Sequence, residues 1–351
     1  MLKVALIGCG LIGDYHLKHL LQFTDIIELV GFCDIIPERA EEFAKRAGIT
    51  NSFADYKEMY EKTSPEAVFI CVPPHCHGEI EFETISRGIH FFVEKPLALD
   101  LDLAREIRER AKAAKLITAV GFQCRYDSLA PRIKEFVTNN PVPFIDCTRF
   151  GGIPGAPWWK TKALSGGQLV EQTIHQLDYL RFVMGEPDTV FSMAARGFIE
   201  DTPPGYDTDD ISVTVVRFKN GTLATISTGC YAKGGDAFDS KTTFSSLEKR
   251  GDMALLSDFK VYGESVKEEN AVGDLIIKGD GSLSAASDDA VVYKNDVNAG
   301  IECDRTFLEA VISGDGSKIL SPYEDAFRSV AFGLAANESM ETGKAVKVAM
   351  E

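Results

Sequence analysis

The sequence predicts an α/β protein in two parts: a doubly wound parallel sheet over residues 1–121, then an α+β domain over 122–351 built on a large, mainly antiparallel open sheet. Three observations point there. Short β-branched or aromatic runs alternate with helical patterns through the first part, and a glycine-rich hexapeptide directly follows the first of those runs. After residue 122, strand candidates succeed one another without helices between them. A chain of 351 residues is also long enough for about two packed cores.

In the first part, residues 3–8 (KVALIG), 28–33 (ELVGFC), 67–72 (AVFICV), 90–94 (HFFVE) and 117–122 (ITAVGF) are runs of strand length. Residues 14–23, 37–48 and 100–115 carry apolar residues at helical spacing. In the second part the pattern predicts a helix over 129–138, a strand over 144–152, a Gly/Pro/Trp loop over 151–167 and a helix over about 168–184. Strands follow at 189–198, 211–221 and 222–231, the last two joined at Asn220-Gly221, a dipeptide that favours a hairpin turn. The loops at 151–167 and 231–245 are expected to shape the pocket, and residues 263–300 carry the weakest pattern. Helices at about 301–313 and 322–342 close the chain, the second stopping before Gly343 and expected to pack back on the first part.

Composition narrows the function. Thirty-seven basic residues against 53 acidic ones leave a net charge of −16, which repels nucleic acid and anionic membrane surfaces. No run approaches the roughly 18 apolar residues that span a bilayer, and the N-terminus reads as a buried strand, so a cytoplasmic protein is expected. The eight cysteines include no CxxC pair and read as small hydrophobes in a reducing compartment.

Gly8-Cys9-Gly10-Leu11-Ile12-Gly13 matches GxGxxG, follows the first strand and opens a helix. Glycines there let the backbone turn tightly and approach a pyrophosphate, whose charge sits at the positive end of the helix. Asp34 ends the second strand about twenty residues beyond Gly13, where a carboxylate accepts hydrogen bonds from ribose hydroxyls and repels a 2′-phosphate. This Rossmann fingerprint predicts NAD, with NADP disfavoured, although Arg39 nearby softens the preference.

At Glu94-Lys95-Pro96 the chain resembles the glucose-fructose oxidoreductase, inositol dehydrogenase and rhizopine-catabolism family, Gfo/Idh/MocA. The resemblance rests on GCGLIG, CVPPHCHGEIEFETISRGIHFFVEKPLA, VGFQCRY (120–126), GGQLVEQTIHQLD (166–178) and the closing SPYEDAFRSVAFGLAANESMETGKAV. It implies hydride transfer between a nicotinamide and a secondary alcohol of a sugar, inositol or related polyol. It also implies a homodimer or homotetramer through the C-terminal sheet, and a catalytic role for Lys95. His175 and Asp178 match the family's second signature. Glu171 stands where aspartate is usual, and Thr173 where glycine is usual.

Oxidising a secondary alcohol needs a base, a positive charge near the developing alkoxide and a fixed nicotinamide. Lys95, Glu171 and His175 supply those types. Glu171 and His175, four apart, are expected on one helix face, with the carboxylate raising the imidazole's pKa and Lys95 across the cleft pulling the other way. His175 is assigned as base, Lys95 as cation and proton partner, and Glu171 as orienter or substrate hydrogen-bonder. The family analogy makes Pro73, Pro74 and His77 a wall for the cofactor, with Glu94, Lys95 and Gln123 beside it. Arg125, Trp158, Trp159, Lys160 and Gln172 are candidate substrate contacts, a salt bridge being the alternative for Arg125 and domain packing for the tryptophans. His16 and His19 lie three apart on the first helix, but the sequence offers no acidic partner at a convincing spacing, so no catalytic metal is expected. Two other readings stay open: a lyase or hydrolase that recycles bound NAD through transient oxidation of a glycoside, and an inactive nucleotide-binding scaffold.

Overall fold

The computed structural model describes residues 1–233, 239–263 and 290–351, with the backbone of 271–272, 275–277 and 283–285. The first sheet is formed by β1 (Leu2–Ile7), β2 (Ile27–Cys33), β3 (Ser52–Phe53), β4 (Ala67–Ile70), β5 (His90–Val93) and β6 (Thr118–Val120), in the order β3-β2-β1-β4-β5-β6. Every pairing in it is parallel. Helices α1 (Leu11–Leu20), α2 (Pro37–Arg46), α3 (Tyr56–Thr63), α4 (Glu79–Ser86) and α5 (Leu101–Ala113) connect the strands. A parallel sheet covered on both faces needs apolar residues on both sides of each strand, which is why β1 buries five of its six residues and β4 all four. The order reverses between β1 and β4, and the loops leaving β1, β2, β4 and β5 converge at the carboxyl edge, where doubly wound sheets bind ligands.

The second part comprises α6 (Ala130–Asn139), β7 (Phe144–Phe150), α7 (Lys162–Ser165), α8 (Gly167–Glu171), α9 (Ile174–Met184), β8 (Pro187–Ala195), β9 (Ile211–Phe218) and β10 (Leu223–Gly229). It continues through β11 (Asp239–Ser245), β12 (Arg250–Ala254), β13 (Asp258–Tyr262), the short β14 (Ala271–Val272), β15 (Leu275–Ile277) and β16 (Leu283–Ala285), and β17 (Ala290–Lys294). Helices α10 (Ala299–Ser313) and α11 (Tyr323–Thr342) and strand β18 (Val346–Lys347) end the chain. A nine-stranded sheet runs β17-β13-β12-β11-β7-β10-β9-β8-β18, antiparallel except where β7 meets β10. β9 alternates buried and exposed residues, the pattern of a sheet with one covered face. Gly221 adopts φ +93° in the tight connection between β9 and β10, as the Asn-Gly pair predicts.

Three expectations change. The predicted loop over 231–245 is strand β11 from Asp239 onward, while 234–238 lie outside the described residues. The predicted loop over 151–167 contains the short helix α7. The predicted helix over 168–184 is broken between Glu171 and Ile174. The Thr173 N–H bonds to the Gln168 carbonyl, five residues back, and the buried Thr173 hydroxyl pairs with Thr228 of β10 at 2.5 Å.

The last two helices join the halves. α10 places Cys303, Phe307 and Leu308 in the core with Leu17, Leu20, Phe69 and Phe92 of the first part. α11 packs Tyr323, Phe327 and Val330 against the other face of the parallel sheet, and Phe332, Ala335 and Ala336 against the core of the nine-stranded sheet. Among the described residues no helix is long and apolar enough to cross a membrane. All eight cysteines are free, and only Cys76 is exposed.

Candidate active site

The glycine loop separates its three glycines by task. A Cβ on Gly8, at φ +93°, would lie 2.2 Å from the Cys71 carbonyl oxygen, and one on Gly13 would lie 2.1 Å from the Gly8 carbonyl oxygen. Both positions are closed by the strand-to-helix crossing itself. Gly10, at the N-cap of α1, has nothing within 4 Å of such a Cβ, so the space there is open toward the helix N-terminus. Leu11 is exposed beside it and Ile12 partly so. Tight turn, open approach and helix-strand closeness are the three roles a dinucleotide loop needs, and the residues fit NAD.

Asp34 is tied to that loop. One carboxylate oxygen accepts the Cys9 N–H at 2.7 Å and the other accepts the Ile36 N–H at 2.8 Å. Each oxygen keeps acceptor capacity, and the backbone donors hold the group in place. Arg39 is exposed on α2. Pro73 precedes a 3-10 turn, Pro74–Cys76, and His77 follows it buried, its Nδ1 2.6 Å from Glu81. Its Nε2 has no protein partner among the described residues.

Lys95 leaves the carboxyl end of β5 and crosses to the second part. Its Nζ donates to Glu171 Oε1 at 3.0 Å and to the Glu171 carbonyl at 3.1 Å. Burial pushes the ammonium's pKa down, but Glu171 and Glu94 together push harder the other way, so the net direction is up. Gln172 donates to the second oxygen of Glu171 and accepts from Arg149 Nη2 at 3.2 Å. Arg149, on β7, is a site residue the sequence reading missed; its only signal was a guanidinium inside a strand-like run leading into the Gly151-Gly152 loop.

The expected Glu171–His175 partnership is not formed. The helix break between them removes the i,i+4 geometry, and the Glu171 carboxylate is taken by Lys95 and Gln172. Instead of a raised pKa, His175 has one pushed down to about 3, by burial first and then by the nearby Lys95 and Arg149 charges. Its ring is half-buried against Phe122, and Nδ1 has no partner among the described residues.

Other expectations are corrected in the same way. Arg125 is 2% exposed and held by Asp178, Asp325 and the Leu320 carbonyl, which makes it an internal brace between the Gln123–Tyr126 turn, α9 and α11. Asp178 also accepts from the Ser329 hydroxyl at 2.6 Å. Trp159 is fully buried, a packing residue, while Trp158 and Lys160 are partly exposed in the loop before α7. Gln123 accepts from Tyr15 at 2.6 Å.

Glu94 belongs to an inner cluster. It accepts from the Lys95 N–H at 3.1 Å and pairs with His16 Nε2 at 3.0 Å, lying so close to Gly121 that a Cβ there would be 2.3 Å from its oxygen. His16 Nδ1 and His19 Nδ1 both meet Asp304 of α10, at 2.9 Å and 2.7 Å. Asp304 is the acidic partner that sequence spacing could not reveal, and with the two histidines it forms a trio whose ligand atoms lie within 4.8 Å of one another. Burial pulls the His16 pKa down, but Asp304 and Glu94 outweigh it and carry it up to about 10, so His16 is an imidazolium clamped between two carboxylates.

Comparisons with known proteins agree with this architecture. Residues 2–122 match the oxidoreductase family with an NAD-binding Rossmann fold, GFO_IDH_MocA, and residues 143–254 match the GFO/IDH/MocA C-terminal domain. A myo-inositol 2-dehydrogenase of Thermotoga maritima is 28% identical, covering 99% of this chain and 98% of its own. A scyllo-inositol 2-dehydrogenase (NAD(+)) of Bacillus subtilis is 31% identical over 62% of this chain and 64% of its own. The solved structure of a levoglucosan dehydrogenase with NADH and L-sorbose superposes with a TM-score of 0.81 at 19% identity, covering 100% of this chain and 99% of its own. The chain is a member of the Gfo/Idh/MocA oxidoreductase family and carries that family's NAD-binding Rossmann domain.

Proposed function

We propose that this oxidoreductase transfers a hydride between NAD and a secondary alcohol of a sugar, inositol or related polyol. The observation that carries the reading is the Lys95–Glu171 pair at 3.0 Å, formed across the two halves at the carboxyl edge of the parallel sheet. NAD supplies the hydride acceptor when bound, held by the open backbone at Gly10 and by Asp34, whose carboxylate favours NAD over NADP. Lys95 stabilises negative charge developing on the substrate oxygen, and Glu171 holds the ammonium in place and charged. His175, neutral at working pH and with Nδ1 unpartnered, accepts the hydroxyl proton. An alkoxide forming beside Lys95 and Arg149 offsets the two charges that depress the imidazole, so its basicity rises when it is needed. Replacement of the usual aspartate by Glu171 preserves the contact with Lys95, which supports a working dehydrogenase site.

Relatives named for inositols and glucosides support the substrate class. A homo-oligomer through the nine-stranded sheet is supported by its exposed apolar face, where Phe191 lies opposite Val215 and Met193 opposite Val213. The acidic net charge and free cysteines support a cytoplasmic protein without nucleic-acid or membrane partners.

The test is a titration with NADH and NADPH, read by energy transfer from Trp158 and Trp159, followed by turnover of a sugar and polyol panel. NADH binds tighter than NADPH, and Lys95→Ala and His175→Ala each lower kcat by about a hundredfold or more with little change in NADH affinity. Loss of NADH binding in either variant would show the roles to be misassigned.

A further inference from the structure

One cation of the site, Arg149, has no ion pair among the described residues, Glu171 acting on it only from beyond ion-pair distance. Lys95 and Glu171 neutralise each other, and His175 is uncharged, but Arg149 has no carboxylate within ion-pair distance among the described residues. Its one side-chain partner is the neutral Gln172 amide oxygen at 3.2 Å, which uses one of the guanidinium's five N–H groups. The residues opposite it in register, Thr228 on β10 and Ser240 on β11, carry no charge. The other arginines buried in this half are treated differently: Arg125 is held by Asp178 and Asp325, and Arg181 by Glu186 and Asp325. In a chain with a net charge of −16, a half-buried guanidinium left without a counterion is a departure that costs free energy unless an anion arrives. The hydrogen-bonded series Arg149–Gln172–Glu171–Lys95 places this cation beside the reacting groups.

We infer that Arg149 binds a carboxylate of the substrate, so that the preferred substrates are monoacids of sugars or polyols, such as uronates and aldonates, rather than neutral sugars. The inference rests on the dehydrogenase function proposed above. With Glu94 paired to the His16 imidazolium, Lys95 and Arg149 against Glu171 leave one positive charge, which a monoanion balances. A phosphate ester, at about −1.5 to −2, would bring surplus negative charge next to Glu171. The planar fork of a guanidinium pairs bidentately with carboxylate and phosphate alike, so the preference for a carboxylate rests on this charge balance.

The experiment measures kcat/KM with NAD for matched sets: glucose, glucuronate, gluconate and glucose 6-phosphate, and galactose with galacturonate. The acid member of a set exceeds its neutral counterpart by about tenfold to a hundredfold, the span expected for one charge-assisted pair. In Arg149→Gln that ratio collapses, chiefly through KM for the acid, and Arg149→Lys restores part of it. NADH affinity, read separately, reports that the variants are folded. Preference for the neutral members with NADH produced overturns the inference and leaves the dehydrogenase reading standing, while preference for the phosphate ester overturns the monoanion assignment. Absence of NADH formation from every member, in protein that binds NADH, overturns both.

Discussion

Replacing Glu171 by Gln isolates the interaction on which the site depends. Lys95 Nζ is 3.0 Å from the carboxylate and 3.1 Å from the Glu171 main-chain carbonyl, and only the first contact loses its charge in Glu171→Gln. At an effective dielectric of about 20, unit charges at that separation attract by about 5 kcal/mol, a gross figure from which desolvation must be subtracted. Glu94 and the carbonyl contact remain, so a net loss of about 3 kcal/mol, at the low end for removing one partner of a buried pair, is the expected cost. The sign follows from the opposing influences on Lys95. Burial favours the neutral amine and the carboxylates favour the ammonium, so removing the larger carboxylate contribution lowers the pKa. The alkaline limb of kcat/KM should therefore move to lower pH. The assay is alcohol oxidation from pH 6 to 11 in the parent, Glu171→Gln and Glu171→Asp. Lys95→Met serves as the variant in which that limb is abolished. An alkaline limb that stays in place or moves upward in Glu171→Gln would refute the claim that this carboxylate keeps Lys95 charged.

Two further predictions use the loop and the inner cluster. Gly10→Val places a side chain in open space, so NADH affinity falls by about tenfold or more while melting temperature changes little; Gly8→Ala, whose Cβ would meet the Cys71 carbonyl at 2.2 Å from a left-handed backbone, destabilises the fold by about 2 kcal/mol or more. Calorimetric melting and NADH titration of both variants separate the two effects, and equal losses in both would contradict the division of roles. His16 is protonated in the folded state up to about pH 10 and only to about 6.5 when unfolded, so its clamp contributes fully below pH 6.5 and is lost as pH rises through 10. Denaturant unfolding from pH 6 to 10 should show stability declining, with a shallower decline in His16→Gln; parallel curves would place the loss elsewhere.

Much of the fold was legible because its determinants are local. Alternating apolar runs and helical spacings gave the βαβ series, and the glycine hexapeptide announced its turn because glycine alone tolerates the crowding at Gly8 and Gly13. Lys95 could be placed at a ligand-binding edge because strand ends in a doubly wound sheet share one rim. The partners of these residues were not legible. Glu171 is four residues from His175 and 76 from Lys95, yet it binds Lys95, because the helix ends at Glu171 and resumes only at Ile174. His16 and Asp304, 288 residues apart, meet only because α10 returns to pack beside α1.

Arg149 shows the same division from the other side. The sequence by itself determined which groups capable of acid-base and ionic chemistry the chain carries, where five of the six strands of the parallel sheet begin to within a few residues, and that a dinucleotide loop opens the first helix. Only the tertiary structure decided which charges cancel: Arg125 and Asp178 neutralise each other in the interior, Lys95 and Glu171 in the cleft, and Arg149, among the described residues, is left with an amide. The reason is physical. Secondary structure follows from interactions within a few residues, whereas pairing energy depends on distance and desolvation, which exist only after segments far apart in the chain have been packed together.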